Sequence, residues 1–252
     1  MKDKLKIGLF FAVAFISIIQ VAAALTMTLR PDGQGVYSEW TNVGCGSGSS
    51  EWQCVDEVSV NTSDYLYTSS KTKKETFTFS NTGPANMTIN NLTIYYYAKR
   101  YSSSRYKVQP LIKINGNNYL GSIKNLGSSY AYVSETYNTN PKTGNPWTKS
   151  EVDALEAGMK SYKSTYGGYV AQVYVVVDYT IPDSCSDTDG GWVSTIQGTV
   201  SGYLSEQYYN STDYCFNSTV VVEFYCVGNY SYNSTMGCDP YLNQTCVNGA
   251  CV

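Results

Sequence analysis

This 252-residue chain has no histidine, so its chemistry has to be built from thiols, carboxylates and tyrosines. Six of its eight cysteines, Cys185, Cys215, Cys226, Cys238, Cys246 and Cys251, crowd the last 68 residues, and Cys45 and Cys54 stand in an early loop. A reactive thiolate needs a base or a cationic neighbour to lower its pKa, and the C-terminal stretch has no lysine or arginine either. Zinc would call for histidines or a Cys-x-x-Cys pair, and neither occurs. All eight cysteines are therefore expected in disulfides, with Cys45 and Cys54 pinning their own loop. Six tail cysteines allow 15 pairings, and spacing does not choose among them.

The carboxylates offer two further chemistries. Asp183, Asp187 and Asp189 lead into Gly190-Gly191, and alternating aspartates closing on a glycine turn suit calcium. That is the one cofactor the sequence suggests. The spacing is not that of the twelve-residue calcium loop, and linker aspartates beside turn glycines account for it equally well. A glycosidase needs only two carboxylates, for which Asp56 with Glu57, or Glu135, are candidates. Without an imidazole there is no Ser-His-Asp or Cys-His machinery, and the expectation is a protein that is not an enzyme. Glu151, Asp153 and Glu156 fall at the start of an expected helix, where the helix dipole already favours negative charge.

Tyrosine is the third resource, at 25 copies. In Tyr95-Tyr96-Tyr97 a strand would send Tyr95 and Tyr97 away from Tyr96, placing two rings on an outer surface beside Lys99. Flat rings with a hydroxyl suit sugars, so Tyr95, Tyr97 and Lys99 are the candidate ligand-binding residues. Tyrosine is also simply a good strand residue. Lys99, Arg100, Arg105 and Lys107, interleaved with Tyr101 and Tyr106, make the nearest approach to a basic cluster and read as a solvated loop.

The elements that must hold these groups are mostly strands. In 169–181, Ala171, Val173, Val175, Val177 and Tyr179 alternate with Gln172, Tyr174, Asp178 and Thr180. Phe77 and Phe79 alternate with Thr76, Thr78 and Ser80, and Leu92, Ile94, Tyr96 and Ala98 form another row. Residues 108–114 make a fourth, followed by the hairpin turn Asn115-Gly116. Residues 148–161 differ: Val152, Leu155 and Met159 recur at helical spacing, and Thr148 with Glu151 fits a capping box. The pattern predicts an all-β, jelly-roll-like antiparallel sandwich with one short helix.

Three regions follow. Residues 1–24 read as a signal peptide: Lys2, Lys4 and Lys6, an apolar run over 7–19, and Ala22-Ala23-Ala24 for cleavage near Ala24. Residues 7–25 are also long enough to stay as an uncleaved anchor. Residues 25–182 are long enough to bury their own core and carry 14 basic and 12 acidic side chains. Residues 183–252 carry seven acidic side chains and no basic ones, which marks a boundary near Asp183 and excludes nucleic acid as a partner. About 70 residues bury too little apolar surface without disulfides, so a small disulfide-stabilised β domain is expected there. Within it, 219–226 reads as a strong strand with Val220, Val222 and Phe224 on one side, and 192–203 and 208–216 as weaker ones. Eight glycosylation sequons begin at Asn61, Asn86, Asn91, Asn210, Asn217, Asn229, Asn233 and Asn243, five of them on the tail's six asparagines. An oxidised, glycosylated chain belongs outside the cytosol.

Two resemblances add to this. Leu29-Arg30-Pro31-Asp32 with Trp40-Thr41, Val55-Asp56-Glu57 before Asp64-Tyr65, and Asn140-Pro141-Lys142-Thr143-Gly144-Asn145-Pro146-Trp147-Thr148 leading into Glu151-Val152-Asp153-Ala154-Leu155-Glu156-Ala157-Gly158 resemble jelly-roll-like β-sandwich domains of phage structural proteins and secreted prokaryotic proteins. That resemblance spans residues 25–182 and implies a fold and a surface role, not a reaction. Cys185 to Gly191, Asp213-Tyr214-Cys215, Glu223-Phe224-Tyr225-Cys226 and Cys246-Val247-Asn248-Gly249-Ala250-Cys251 look like cysteine-rich modules of secreted archaeal proteins, which implies an archaeal cell surface. The expected function is binding or adhesion at a cell surface, with a cell-surface glycan or protein as partner. The alternatives are a self-associating envelope or appendage subunit, using the freed segment 25–29 for insertion, and a carboxylate-dependent glycoside hydrolase.

Overall fold

The computed structural model describes residues 25–80, 83–101, 106–163 and 167–252. Residues 1–24, read as a signal peptide or anchor, and Arg105 lie outside the described residues.

Twelve strands build the first part: β1 (Leu25–Leu29), β2 (Pro31–Ser38), β3 (Thr41–Val43), β4 (Tyr65–Thr68), β5 (Lys74–Phe79), β6 (Thr88–Arg100), β7 (Lys107–Ile114), β8 (Asn117–Leu120), β9 (Lys124–Asn125), β10 (Ala131–Tyr137), β11 (Glu156–Lys163) and β12 (Gly168–Thr180). They form two antiparallel sheets in a jelly-roll-like sandwich. One sheet runs β10-β6-β12-β4-β3, with β1 also on β12; the other runs β2-β5-β11-β7-β8, with β9 on β7. Strand alternation does the sorting. Leu92, Ile94, Tyr96 and Ala98 of β6 point into a core that also takes Leu66, Phe77, Phe79, Val108, Ile112, Ala157 and Met159. Each large apolar side chain removed from water contributes roughly 1.5–3 kcal/mol. The Tyr96 hydroxyl, fully buried, donates to the carbonyl of Gly158 in the opposite sheet. The Asn115-Gly116 turn forms as expected, both residues at positive φ, between Ile114 and its partner Asn117.

Two local expectations are corrected. The helix is confined to α1 (Lys149–Asp153), with the reciprocal Thr148–Glu151 capping box in place. Leu155 and Met159 do not prolong it, because β11 is the centre of its sheet, between β5 and β7. Gly158 brings the backbones together there: a Cβ on it would stand 1.9 Å from the Glu75 carbonyl oxygen. In β12 a bulge between Val170 and Gln172 shifts the alternation. Val170, Val173, Val175 and Val177 join the core, while Ala171, though buried, does not. Segment 25–29, the candidate for insertion under the alternative of a structural subunit, forms β1 and is paired along β12 of its own chain from Leu25↔Tyr179 to Leu29↔Val175.

The tail is a small disulfide-stabilised β unit. It consists of β13 (Ser184–Asp187), β14 (Thr199–Leu204) and β15 (Gln207–Thr212) in one sheet, β16 (Tyr214–Asn217), β17 (Val220–Val227) and β18 (Tyr230–Gly237) in a second, and the hairpin of β19 (Cys246–Val247) and β20 (Ala250–Cys251). The expected strand over 208–216 is two strands in different sheets, divided at Asp213. Residues 192–198 lie outside any strand. In β17 the more deeply buried face belongs to Val221 and Glu223, the opposite parity from Val220, Val222 and Phe224. All eight cysteines are bridged, Cys45–Cys54, Cys185–Cys226, Cys215–Cys246 and Cys238–Cys251. The tail's own cluster is small: Val221 with Cys238, Cys246 and Cys251.

Candidate functional site

The outer face of the β10-β6-β12-β4 sheet is paved with tyrosine. Register sets the pattern: Tyr97 lies opposite Tyr132 and Gln172, Tyr95 opposite Ser134 and Tyr174, and Lys99 opposite Tyr169, which in turn pairs with Tyr67. Because β6 alternates, Tyr95, Tyr97 and Lys99 share this face while Tyr96 is in the core. The rings touch in sequence. Tyr174 stacks on Tyr95 at 4.9 Å between centroids, Tyr132 packs on Tyr97 at 4.7 Å, and Tyr97 stacks on Tyr130 at 5.3 Å. The Lys99 ammonium then bridges two aromatic groups, 4.4 Å from the Tyr130 ring and 5.3 Å from that of Tyr169. Tyr65, Tyr67 and Tyr101 surround Tyr169 at 4.9, 5.3 and 5.9 Å. At the far end the Arg30 guanidinium lies over Tyr174 at 5.3 Å.

Around Lys99 the surface dips into a cavity of about 270 Å³ lined by Thr62, Tyr65, Lys99, Arg100, Tyr101, Ser128, Tyr130 and Tyr169. Burial, with Tyr65 and Tyr169 nearby, pushes the Tyr130 hydroxyl up to about 12, and burial likewise raises Tyr169 and Tyr174. These hydroxyls are protonated donors at neutral pH. Alternating ring faces, phenol donors and one ammonium make a surface suited to a neutral or acidic polyhydroxylated ligand. Sequence reading found Tyr95, Tyr97 and Lys99 from one strand. It did not join to them their partners on other strands, Tyr65, Tyr67, Tyr130, Tyr132, Tyr169 and Tyr174; of these, alternation had placed Tyr174 on the outward face of its strand, and for the rest the signal was the total of tyrosines.

The face is tied to the neighbouring 56–58 loop. Tyr132 donates to Gln172 Oε1 at 2.9 Å, Gln172 Nε2 donates to the Glu57 carbonyl at 2.6 Å, and Arg30 also donates to the Glu57 carbonyl. The Glu57 carboxyl is pushed up to about 7 by burial, with Asp64 and Asp56 adding repulsion. Its expected partner Asp56, the residue before it in the loop, is likewise raised by burial, with Arg30 opposing. Glu135 is on β10, paired with Lys124 at 2.6 Å. Burial alone would raise its carboxyl, but Lys124 and Ser122 outweigh this and hold it below its ordinary value.

Of the three aspartates proposed for calcium, Asp183 is elsewhere, accepting from the Ser205 amide. Asp187 and Asp189 are near one another, and Asp189 is instead joined by Asp213 and Glu223, which sequence reading did not select. Burial pushes Glu223 up to about 7, and burial with Asp187 pushes Asp189 up to about 6. The sequon asparagines Asn61, Asn86, Asn210, Asn217, Asn229, Asn233 and Asn243 are exposed, whereas Asn91 is half-buried and donates to Asp178.

No family model and no curated protein matches the chain, so neither comparison names the phage or archaeal groups. Among solved structures, it is similar to the CBM22-1–GH10 modules of a Clostridium thermocellum endo-1,4-β-D-xylanase complexed with xylohexaose, with 10% identity and a TM-score of 0.35. That match covers 62% of this chain and 28% of the other. It is also similar to the CBM22-1 xylan-binding domain of Xyn10C from Paenibacillus barcinonensis, with 10% identity, a TM-score of 0.33, and 62% and 97% of the two chains covered. Likenesses this distant carry no weight for function.

Proposed function

We propose that the chain is a non-enzymatic surface protein, exported and glycosylated, that binds glycan across the tyrosine face of its first sheet. The observation that supports this reading is the continuous run from Arg30 over Tyr174, Tyr95, Tyr132, Tyr97 and Tyr130 to Lys99 and Tyr169. Sugar rings have apolar C–H faces and polar rims, and a tyrosine offers a flat apolar area with a hydroxyl at its edge. Tyrosines stacked on their neighbours are also held in place before any ligand arrives, which lowers the entropy cost of binding. The cavity beside Lys99 would take one sugar unit or a substituent, the ammonium favouring an acidic one. Export by residues 1–24, glycan on the sequon asparagines and display on an archaeal cell surface belong to the same reading. They agree with a chain whose cysteines are all bridged.

The test is retardation of the purified chain in gels containing polysaccharides, xylan and acidic glycans among them, alongside Tyr97→Ala, Tyr174→Ala and Lys99→Ala. Retention by one glycan, weakened about tenfold (about 1.4 kcal/mol) by either tyrosine change, is the expected result. No retention on any glycan, with mass growing into oligomers, would transfer the tyrosine face to a contact between copies of a structural subunit.

A further inference from the structure

We propose that the tail holds a divalent cation of the calcium type between its two three-stranded sheets, with Asp189, Asp213 and Glu223 as ligands and Asp187 beside them. One carboxylate oxygen from each of Asp189, Asp213 and Glu223 lies within 4.8 Å of the others. They come from three places in the chain: the turn after β13, the junction between β15 and β16, and the middle of β17. Proximity of acids is common on surfaces, but here only Asp189 is partly exposed. Asp213 is 1% exposed and Glu223 is fully buried.

Glu223 is the decisive residue. Its Oε1 accepts from the Val193 amide at 2.8 Å, while its Oε2 is buried with no partner. Both oxygens of Asp187 are likewise buried and without a partner, and Asp189 is beside them. Asp213 is fixed by the chain itself, Oδ1 accepting from the Phe224 amide at 2.7 Å and Oδ2 from the Gly198 amide. Gly198 permits the crowding, since a Cβ there would stand 2.7 Å from the Asp189 carboxylate. A buried carboxylate is protonated, paired with a cation or bound to metal, and residues 183–252 contain no lysine, arginine or histidine to pair with. A positive charge to hold this group ionised has to come from outside the tail's own side chains. Clustered hard oxygens match calcium, which accepts six to eight of them in flexible geometry and fills vacant positions with water. Ligation would also fix the 189–193 loop, whose Trp192 stacks on Tyr225. This inference is independent of the tyrosine face.

The full chain is stripped with a chelator, desalted, and titrated with calcium chloride by calorimetry and by Trp192 fluorescence. The wild-type chain should bind one equivalent saturably and melt at higher temperature with calcium. Glu223→Gln, which keeps the bond to Val193, and Asp189→Asn should each weaken binding at least tenfold and raise the melting temperature of the cation-free chain. Asp183→Asn should bind as wild type. Near-ultraviolet circular dichroism checks that each variant folds, and Asp189→Asn, in a turn, stands in if Glu223→Gln does not. Absence of saturable binding at millimolar calcium, or unchanged binding in the folded Glu223→Gln or Asp189→Asn chain, overturns the proposal.

Discussion

Glu75 gives the most quantitative test of how this sandwich tolerates charge. It is on β5, fully buried, with Oε1 accepting from Gln34 Nε2 at 2.6 Å and Oε2 from the Glu39 and Trp40 amides at 2.9 Å each. Burial pushes its carboxyl from 4.5 up to about 7, against the opposing pull of the Trp40, Gln34 and Glu39 donors. A carboxyl that holds its proton more tightly when folded makes the native state the better proton binder between those two values. Its contribution to stability is therefore full below about pH 4.5, falls as pH climbs to about 7, and is level above. A displacement of about 2.5 units at 1.36 kcal/mol per unit is worth about 3 kcal/mol. Other raised carboxyls, Glu57 and Glu223 among them, slope the same way, so a variant is needed to isolate this one. Urea unfolding of the wild type and Glu75→Gln at pH 5 and pH 8, followed by Trp40 fluorescence, should show the wild type losing about 2.5 kcal/mol more than the variant, the part of the effect that falls between those two pH values. Whatever offset the amide introduces, the difference in slope is the quantity read. Parallel profiles would refute the reasoning, because they would mean that three N–H donors already hold Glu75 ionised at pH 5.

Gly158→Ala should destabilise the sandwich by about 3 kcal/mol or more, read as a lowered melting temperature, since its Cβ would meet the Glu75 carbonyl at 1.9 Å. Tyr96→Phe leaves the Gly158 carbonyl without its buried donor and should cost about 1–2 kcal/mol, measurable in the same melts. Opening Cys185–Cys226, which closes 41 residues, should cost about 4 kcal/mol of chain entropy against about 2.5 for Cys45–Cys54, which closes nine. Paired alanine variants unfolded in urea provide the comparison.

The sandwich was legible because most of its strands alternate cleanly. The misreadings fall where another force overrides alternation. In β11, Leu155 and Met159 follow Val152 at intervals of three and four, and nothing local shows that Gly158 is there to let two backbones close. In β12 one extra residue at Ala171 moves Val170 into the core. In β17 three apolar residues at Val220, Val222 and Phe224 pointed to the wrong face, because the buried side carries Glu223, a residue that burial statistics place outside. Both candidate sites were half-visible for a common reason. Tyr95, Tyr97 and Lys99 share one strand, as Asp187 and Asp189 stand two residues apart at the end of β13, and the sequence shows such neighbours directly. Their partners arrive through sheet pairing across dozens of residues, which single-chain spacing does not encode.

The tail's bridges and its acids belong to one design. Its apolar cluster amounts to Val221 and cysteine sulfur with Met236 alongside, too little to hold mutually repelling carboxylates together. Cys185 stands two residues before Asp187 on β13, and Cys226 three residues after Glu223 on β17, so the Cys185–Cys226 bridge clamps the two strands next to the acidic group. A covalent link placed there offsets the repulsion in the cation-free chain and pre-organises the ligands for the cation. Replacing that pair by alanine should therefore weaken calcium binding at least tenfold even in chain that remains folded, whereas replacing Cys45 and Cys54 should leave it unchanged. Equal calcium affinities in the two variants would show that the carboxylates are positioned by their backbone hydrogen bonds alone, Asp213 to Gly198 and Phe224 and Glu223 to Val193.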